Sequence, residues 1–185
     1  VIFGCLGAAE FVDVRWVGTE EGRAGRDCWA TIDPETIVVE NCADLNSGKW
    51  GGSHFIPAET NTSIRPGWFW HENQNDRVRS PENLVKYWFE SAGRNTAILL
   101  NLPPDRRGLI HESDTESVRR WSELLSEIFG EDLAPRGTVT ADSPLHPDLG
   151  PENLLLEDDE RFYAAQSLTP TITLTFPEAV TFDCW

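Results

Sequence analysis

The spacing of apolar side chains changes along this chain, and each change marks an element. Val1-Ile2-Phe3-Gly4 opens as an apolar run and predicts a buried strand. Residues 12–18, Val-Asp-Val-Arg-Trp-Val-Gly, alternate and predict a second strand, which breaks into the polar loop Thr19-Glu20-Glu21-Gly22. Residues 23–60 have little periodicity and several Gly, Asn and Pro. They predict a long irregular stretch, and such stretches in compact domains are usually functional. Ser80-Pro81-Glu82 reads as a helix start, with Ser as the cap, Pro at the first helical position and an acid in the first turn. Leu84, Val85, Trp88 and Phe89 follow at helical spacing, with Gly93 as the stop. Residues 97–102 form a continuous apolar run, expected to be a strand buried on both faces of a parallel sheet, and Pro103–Gly108 ends it. Asp114 is expected to cap a second helix, whose apolar face is Val118, Trp121, Leu124, Leu125, Ile128 and Phe129 and whose stop is Gly130.

Strand, loop and helix recurring in this order is the grammar of a parallel α/β fold. The character changes after Gly130. Residues 131–160 are rich in Pro and acids, Thr171–Phe176 alternates strictly, and Val180–Trp185 reads as a further strand. A boundary at 131–137 is expected, dividing an α/β part (1–133) from an all-β part (134–185).

Composition narrows the partners. With a formal net charge of −16, the chain is a poor match for nucleic acid or an anionic membrane, both of which reward Lys and Arg. No apolar run approaches the roughly 20 residues of a membrane span, so no membrane insertion is expected. The chain has no Met, begins in what reads as a strand and ends in another, so it is expected to be a piece of a longer protein, and its compartment is left open. Cys5, Cys28, Cys42 and Cys184 lack metal-type spacing and are expected to be buried free thiols; the four His are too dispersed to predict a metal site. Two Pro and the lack of a Gly-rich run exclude a phosphate loop at 103–108, which is expected to be a turn with an Asp–Arg pair. Asn61-Thr62-Ser63 is a glycosylation sequon of a kind common by chance.

Candidate chemistry concentrates in two places. Residues 63–71, Ser-Ile-Arg-Pro-Gly-Trp-Phe-Trp-His, mix aromatics with Arg and His, which suits either a core segment or a cleft for a neutral, hydroxyl-rich ring such as a sugar. Glu20 and Glu21 sit at a strand end just after Trp16, where a carboxyl beside an aromatic can be held protonated as a general acid. Glycoside hydrolysis needs a second carboxylate, and nothing marks Asp13, Glu59 or Asp105 as a nucleophile. Trp29 and Trp50 could be sugar platforms or loop anchors.

Taken together, these segments resemble the α-L-fucosidases of glycoside hydrolase family 29. Val12–Gly22 resembles the family's DxRWxGNExG segment, with Thr19 where Asn is frequent. Cys28-Trp29-Ala30-Thr31 resembles its CWS segment, and Ile56–His71 its PAExxxSIRPGWFxH stretch. Gly93-Arg94-Asn95 and Leu99–Gly108 resemble its GRNxxLLLNxPPDRRG segment. The match covers roughly residues 1–130 and is nearest the subgroup acting on branched α-1,3/1,4-linked fucose. The resemblance implies part of a (β/α)8-type barrel followed by the start of a β-sandwich, retaining removal of terminal α-L-fucose from a fucosylated glycan, and no metal or cofactor. It makes Glu20 the acid/base, with Glu21 the alternative, and puts Arg65, Trp68 and Trp16 beside the fucose. The family's nucleophile is an Asp in an upstream WFD-type strand end that this chain does not contain, so the chain alone is expected to be inactive. The competing reading is a non-catalytic carbohydrate-binding domain.

Overall fold

In a computed structural model of the chain, residues 1–4, 12–36, 43–156, 158, 160–182 and 184 are described. The elements run β1 (Phe3–Gly4), β2 (Val14–Trp16), β3 (Thr31–Ile32), α1 (Ala43–Ser47), β4 (His54–Phe55), β5 (Ala58–Ser63), α2 (Pro81–Glu90), β6 (Thr96–Asn101), α3 (Glu112–Ile128), β7 (Thr138–Ala141) and β8 (Ile172–Thr175). The fold is mixed α/β. The chain divides into two compact units, 1–125 and 126–185, so the division falls inside α3 and earlier than the Pro- and acid-rich stretch that suggested it.

The first unit is organised by a sheet in the order β1-β2-β5-β6 in which every pairing is parallel. The registers Arg15↔Ala58 and Ser63↔Asn101 bring the C-terminal ends of β2, β5 and β6 to one edge. β5 was not expected, because Ala-Glu-Thr-Asn-Thr-Ser carries no apolar alternation. Its Thr residues fill the role that aliphatic side chains usually take. Thr60 and Thr62 are buried, the Tyr87 hydroxyl meets the Thr60 and Leu99 carbonyls, and Arg79 donates to Thr62 Oγ1 at 3.0 Å.

Ile64, Leu84 and Tyr87 form the core beneath α2, joined by Ile98, Leu100, Val118 and Trp121. β6 is therefore covered on one side only. Ile98 and Leu100 pack inward, while Leu99 on the opposite face is 43% exposed, against the expectation of burial on both. Helix α2 begins as predicted, with Ser80 accepting the Asn83 N–H and Pro81 at the first position. It ends at Glu90, ahead of Gly93, with Ser91 as its C-cap; a short 3-10 turn (Ala92–Arg94) follows and is closed by Asn95 in the left-handed region (φ 64°), where Asn is the usual alternative to Gly. The cap of α3 also differs. His111 Nδ1 accepts the Ser113 N–H, and Asp114 lies inside the first turn, fully buried.

A single buried side chain links several points of the irregular stretch between β2 and β5. Arg15 is fully buried and donates to the carbonyls of Leu45 (3.0 Å), Trp29 (2.6 Å) and Ile56. Its guanidinium also meets Cys28 Sγ at 3.7 Å. Cys28 is a buried free thiol, pushed up from its ordinary pKa by burial. Cys184 is free and half-buried, and Cys5 and Cys42 lie outside the described residues.

In the second unit, β7 and β8 form an antiparallel pair from Thr138↔Thr175 to Ala141↔Ile172. Asn153 is buried and ties this unit's turns together, donating to the Asp148 and Phe162 carbonyls. The strand expected at 180–185 is absent among the described residues, since 180–182 and 184 belong to no strand; Asp183 and Trp185 lie outside them.

Candidate active site

Loops at the C-terminal ends of parallel strands carry most of the chemistry in folds of this kind. Here three such loops follow β2, β5 and β6, and the sheet order makes them neighbours. The first is shaped by two glycines with positive φ, Gly18 (85°) and Gly22 (72°), on either side of the acidic pair. A side chain at Gly22 would place its Cβ 2.6 Å from the Tyr87 ring, so the turn lies hard against α2.

That turn sends the two adjacent glutamates in different directions. Glu20 accepts the indole N–H of Trp68 at 2.9 Å, across 48 residues of sequence. Glu21 is taken by Arg23, whose Nε donates to it at 2.8 Å. Both carboxylates are exposed. Trp16, on β2, donates its indole N–H to Asn61 Oδ1 on β5 at 2.8 Å. Asn61 is thus engaged within a paired strand, and the sequon it belongs to is folded into the sheet.

The second loop is fixed from below. Asn101, the last residue of β6, donates both to Ser63 Oγ and to the Trp68 carbonyl, each at 3.0 Å. Ser63 Oγ in turn donates to the Gly67 carbonyl at 2.7 Å. Arg65 makes a bidentate pair with Asp114, Nε to Oδ2 at 2.8 Å and Nη2 to Oδ1 at 2.7 Å, and neither side chain has exposed surface. Its remaining donors reach Ser113 Oγ and the His71 carbonyl. Arg65 was expected beside the sugar; instead its guanidinium is buried against Asp114 inside the protein, bracing the loop that carries Trp68. Asn101 and Asp114 were not singled out for this role. Asp114, two residues into α3, read as a cap because Asp is common there, and nothing local distinguishes a capping Asp from one paired to an Arg far away in sequence.

The third loop is the expected structural turn. Arg107 pairs with Asp105, Nε to Oδ2 at 2.9 Å, and holds its carboxyl below the usual range, while Gly108 closes the turn at φ 76°. Of the other spare carboxylates, Asp13 accepts the Ile2 N–H at 2.7 Å, and Glu59, level with Trp16 in the sheet, is raised by burial. Trp29 and Trp50 meet edge to face with ring centroids 4.3 Å apart. They do not join the site. The Ile56 N–H to Ala30 carbonyl and Asn95 side chain to Cys28 carbonyl bonds fasten their segment beside the starts of β5 and β6, at the opposite end of the sheet from Glu20. Among the described residues no His, Cys, Asp and Glu cluster could hold a metal ion, and no helix is long and apolar enough to cross a membrane.

No family model matches the chain. An α-L-fucosidase 1 from Arabidopsis thaliana is 33% identical over 178 residues, covering 92% of this chain and 35% of that protein. A Bacteroides thetaiotaomicron protein assigned as an α-L-fucosidase has a solved structure that matches with a TM-score of 0.84 at 38% identity, over 96% of this chain and 40% of that one. A Ruminococcus gnavus GH29 fucosidase, solved in complex with fucose, matches with a TM-score of 0.77 at 26% identity, over 92% and 35% of the two chains. The chain thus spans 35–40% of the length of these three proteins.

Proposed function

We propose, from the premise that this chain is homologous to the α-L-fucosidases of glycoside hydrolase family 29 over about a third of their length, that it carries the acid/base half of a retaining α-L-fucosidase. On this reading the parallel sheet is part of a (β/α)8-type barrel and β7–β8 begin a β-sandwich. The substrate is a glycan with terminal α-L-fucose, of the branched α-1,3/1,4-linked kind.

The observation that carries the reading is the Trp68–Glu20 hydrogen bond. It joins two segments distant in sequence at the ends of adjacent parallel strands, and it favours Glu20 over Glu21, which is paired with Arg23. Glu20, as acid, gives its proton to the leaving glycosidic oxygen and then, as base, takes one from the water that releases fucose. The Trp68 indole fixes the carboxyl's orientation, and Trp16 offers apolar surface on β2. Arg65 acts as a positioning residue, through Asp114 and the loop, rather than as a sugar ligand.

Retention requires a second carboxylate about 5–5.5 Å from the first. Glu21, Asp13 and Asp105 are each committed elsewhere. The nucleophile on this reading comes from the part of the relatives' length that this chain does not span, and the 185-residue chain alone turns over no aryl α-L-fucoside. In a protein carrying the chain within the whole barrel, Glu20→Gln slows alkyl fucosides at least about 100-fold while activated aryl fucosides, which need no proton, lose far less in their first step. Comparable loss on both substrates moves the acid/base elsewhere. Fucose binding without hydrolysis of any fucoside would make the protein a carbohydrate-binding module.

A further inference from the structure

Trp29 and Trp50, at the opposite end of the sheet from Glu20, have no part in the chemistry proposed above. They are 40% and 53% exposed, and Phe55 on β4 is 74% exposed. Thr31 lies between the segments that carry them. It pairs with Phe55 across β3 and β4, and it is clasped to Lys49, the neighbour of Trp50, by the Lys49 N–H to Thr31 carbonyl and Thr31 hydroxyl to Lys49 carbonyl bonds, both 2.7 Å. Ile32 turns fully into the core, so Thr31 and Phe55 share the solvent face of the pair. We infer that Trp29, Trp50 and Phe55 form a binding surface for a neutral oligosaccharide chain.

The backbone beneath the rings is fixed while the rings stay in water. The Trp29 N–H donates to the Ser47 carbonyl at 2.7 Å, and the Trp29 carbonyl accepts from buried Arg15 at 2.6 Å. Gly48, at φ 62°, passes so close that a Cβ there would lie 2.1 Å from the Trp29 carbonyl oxygen. Gly52 closes the turn that presents Trp50 by donating to the Lys49 carbonyl at 3.1 Å, and its own missing Cβ would lie 2.5 Å from the Ile32 nitrogen. Side chains that served only to anchor this stretch would be buried by it. Here the anchoring is done by backbone, Arg15 and glycine, and the aromatic surface is left over, with little ordering still to be lost on binding.

Area, shape and charge decide the occupant. The three rings together expose roughly 400 Å², about half of the ~800 Å² that each partner gives to a stable protein–protein interface. That is the size of a short saccharide. The indoles meet at 69° with centroids 4.3 Å apart, so their exposed surfaces make a corner rather than a plane. Successive rings of a saccharide chain are turned relative to one another, and inclined apolar surfaces suit them. The same closeness leaves no room between the indoles for the methylated ammonium that an aromatic cage would hold. Hydroxyl partners adjoin the rings: Ser53 and His54 precede Phe55, both exposed, and His54 Nδ1 meets Ser53 Oγ at 2.9 Å while its Nε2 has no partner among the described residues. Lys49 pairs with Asp33 and, with the Ser53 N–H, brings its carboxyl down to about 2, so these charges cancel. In a chain of net charge −16 that favours a neutral saccharide over a sialylated or sulfated one.

The inference goes beyond the fucosidase reading and does not depend on it. The 185-residue chain is titrated with three neutral tetrasaccharides that contain no fucose, cellotetraose, xylotetraose and lacto-N-neotetraose, and binding is followed by the tryptophan indole N–H resonances. At least one is expected to shift the Trp29 and Trp50 resonances, to leave that of Trp68 in place, and to resist displacement by excess L-fucose. Trp50→Ala and Phe55→Ala, both at exposed positions, should weaken this binding about tenfold. Trp50→Phe, which keeps an aromatic face, should lose much less, and thermal midpoints verify that the variants are folded. If none of the three tetrasaccharides moves the Trp29 and Trp50 resonances, the inference is overturned. Binding that moves Trp68 and is displaced by L-fucose puts the ligand at the other end of the sheet and overturns it as well. Self-association that falls in Trp50→Ala, read by light scattering and without saccharide binding, makes the rings an interface between copies instead. Because the probes lack fucose, each result leaves the fucosidase reading to be decided by hydrolysis of fucosides.

Discussion

Arg65 illustrates what single residues reveal and conceal. A guanidinium flanked by Trp and His in sequence reads as a ligand, because exposed Arg among aromatics usually binds something. Its burial with Asp114 reverses that, and the pair becomes a structural commitment with a large penalty for breaking one side. Arg65→Met or Asp114→Leu alone should destabilise the first unit by about 3–5 kcal/mol, because each leaves an uncompensated buried group. Replacing both with apolar side chains, as Arg65→Met with Asp114→Leu, should cost much less. Urea unfolding of the four proteins checks this; additive losses in the double variant would mean that the pair contributes through packing alone. The Glu20–Glu21 pair was legible as a candidate from its motif, whereas what distinguishes the two carboxylates was not. Adjacent carboxylates are equivalent in sequence, and only Trp68 and Arg23, reaching them from different sides, separate the two.

Among the elements, those with a local code were legible and those made by partners were not. Helix α2 announced itself through Ser80 and Pro81, and the alternation before Gly18 announced β2. β5 escaped because its hydrogen-bonding Thr side chains replace the expected aliphatic ones, and β7 because it lies in a Pro- and acid-rich stretch. Element packing also constrains the Glu20–Glu21 turn. Gly22 sits at φ 72° with the Tyr87 ring against the place of its missing Cβ, so Gly22→Ala incurs both backbone strain and a clash. This substitution should lower the thermal midpoint measurably and weaken the Glu20–Trp68 contact, seen as shifts in the Trp68 indole N–H resonance. An unchanged midpoint and resonance would show that α2 yields easily to the turn.

At the scale of the molecule, the sheet is open on both sides among the described residues. β1 and β6 each pair with one neighbour only, and Leu99 faces outward from β6. Open edges and an uncovered apolar face favour pairing with further chain. The isolated chain should therefore associate with rising concentration, as read by light scattering, and Leu99→Lys should reduce that association. A monomer at all accessible concentrations would show that the edges protect themselves. The parallel α/β character was readable from the order of elements; the division of the chain inside α3 was not, because a continuous helix gives no compositional sign of where one unit's packing stops.

The two contacts that make the site have a consequence for how it comes into being. Glu20 to Trp68 closes a loop of 48 residues and Arg65 to Asp114 one of 49, and the two loops overlap over residues 65–68. Each closure carries an entropic cost that its contacts offset only once they are complete. Neither alone fixes the aromatic segment, since one anchors its tip and the other its root. The carboxylate therefore acquires its partner in the same late event that joins α3 to the sheet, and a half-folded chain holds no half-made site.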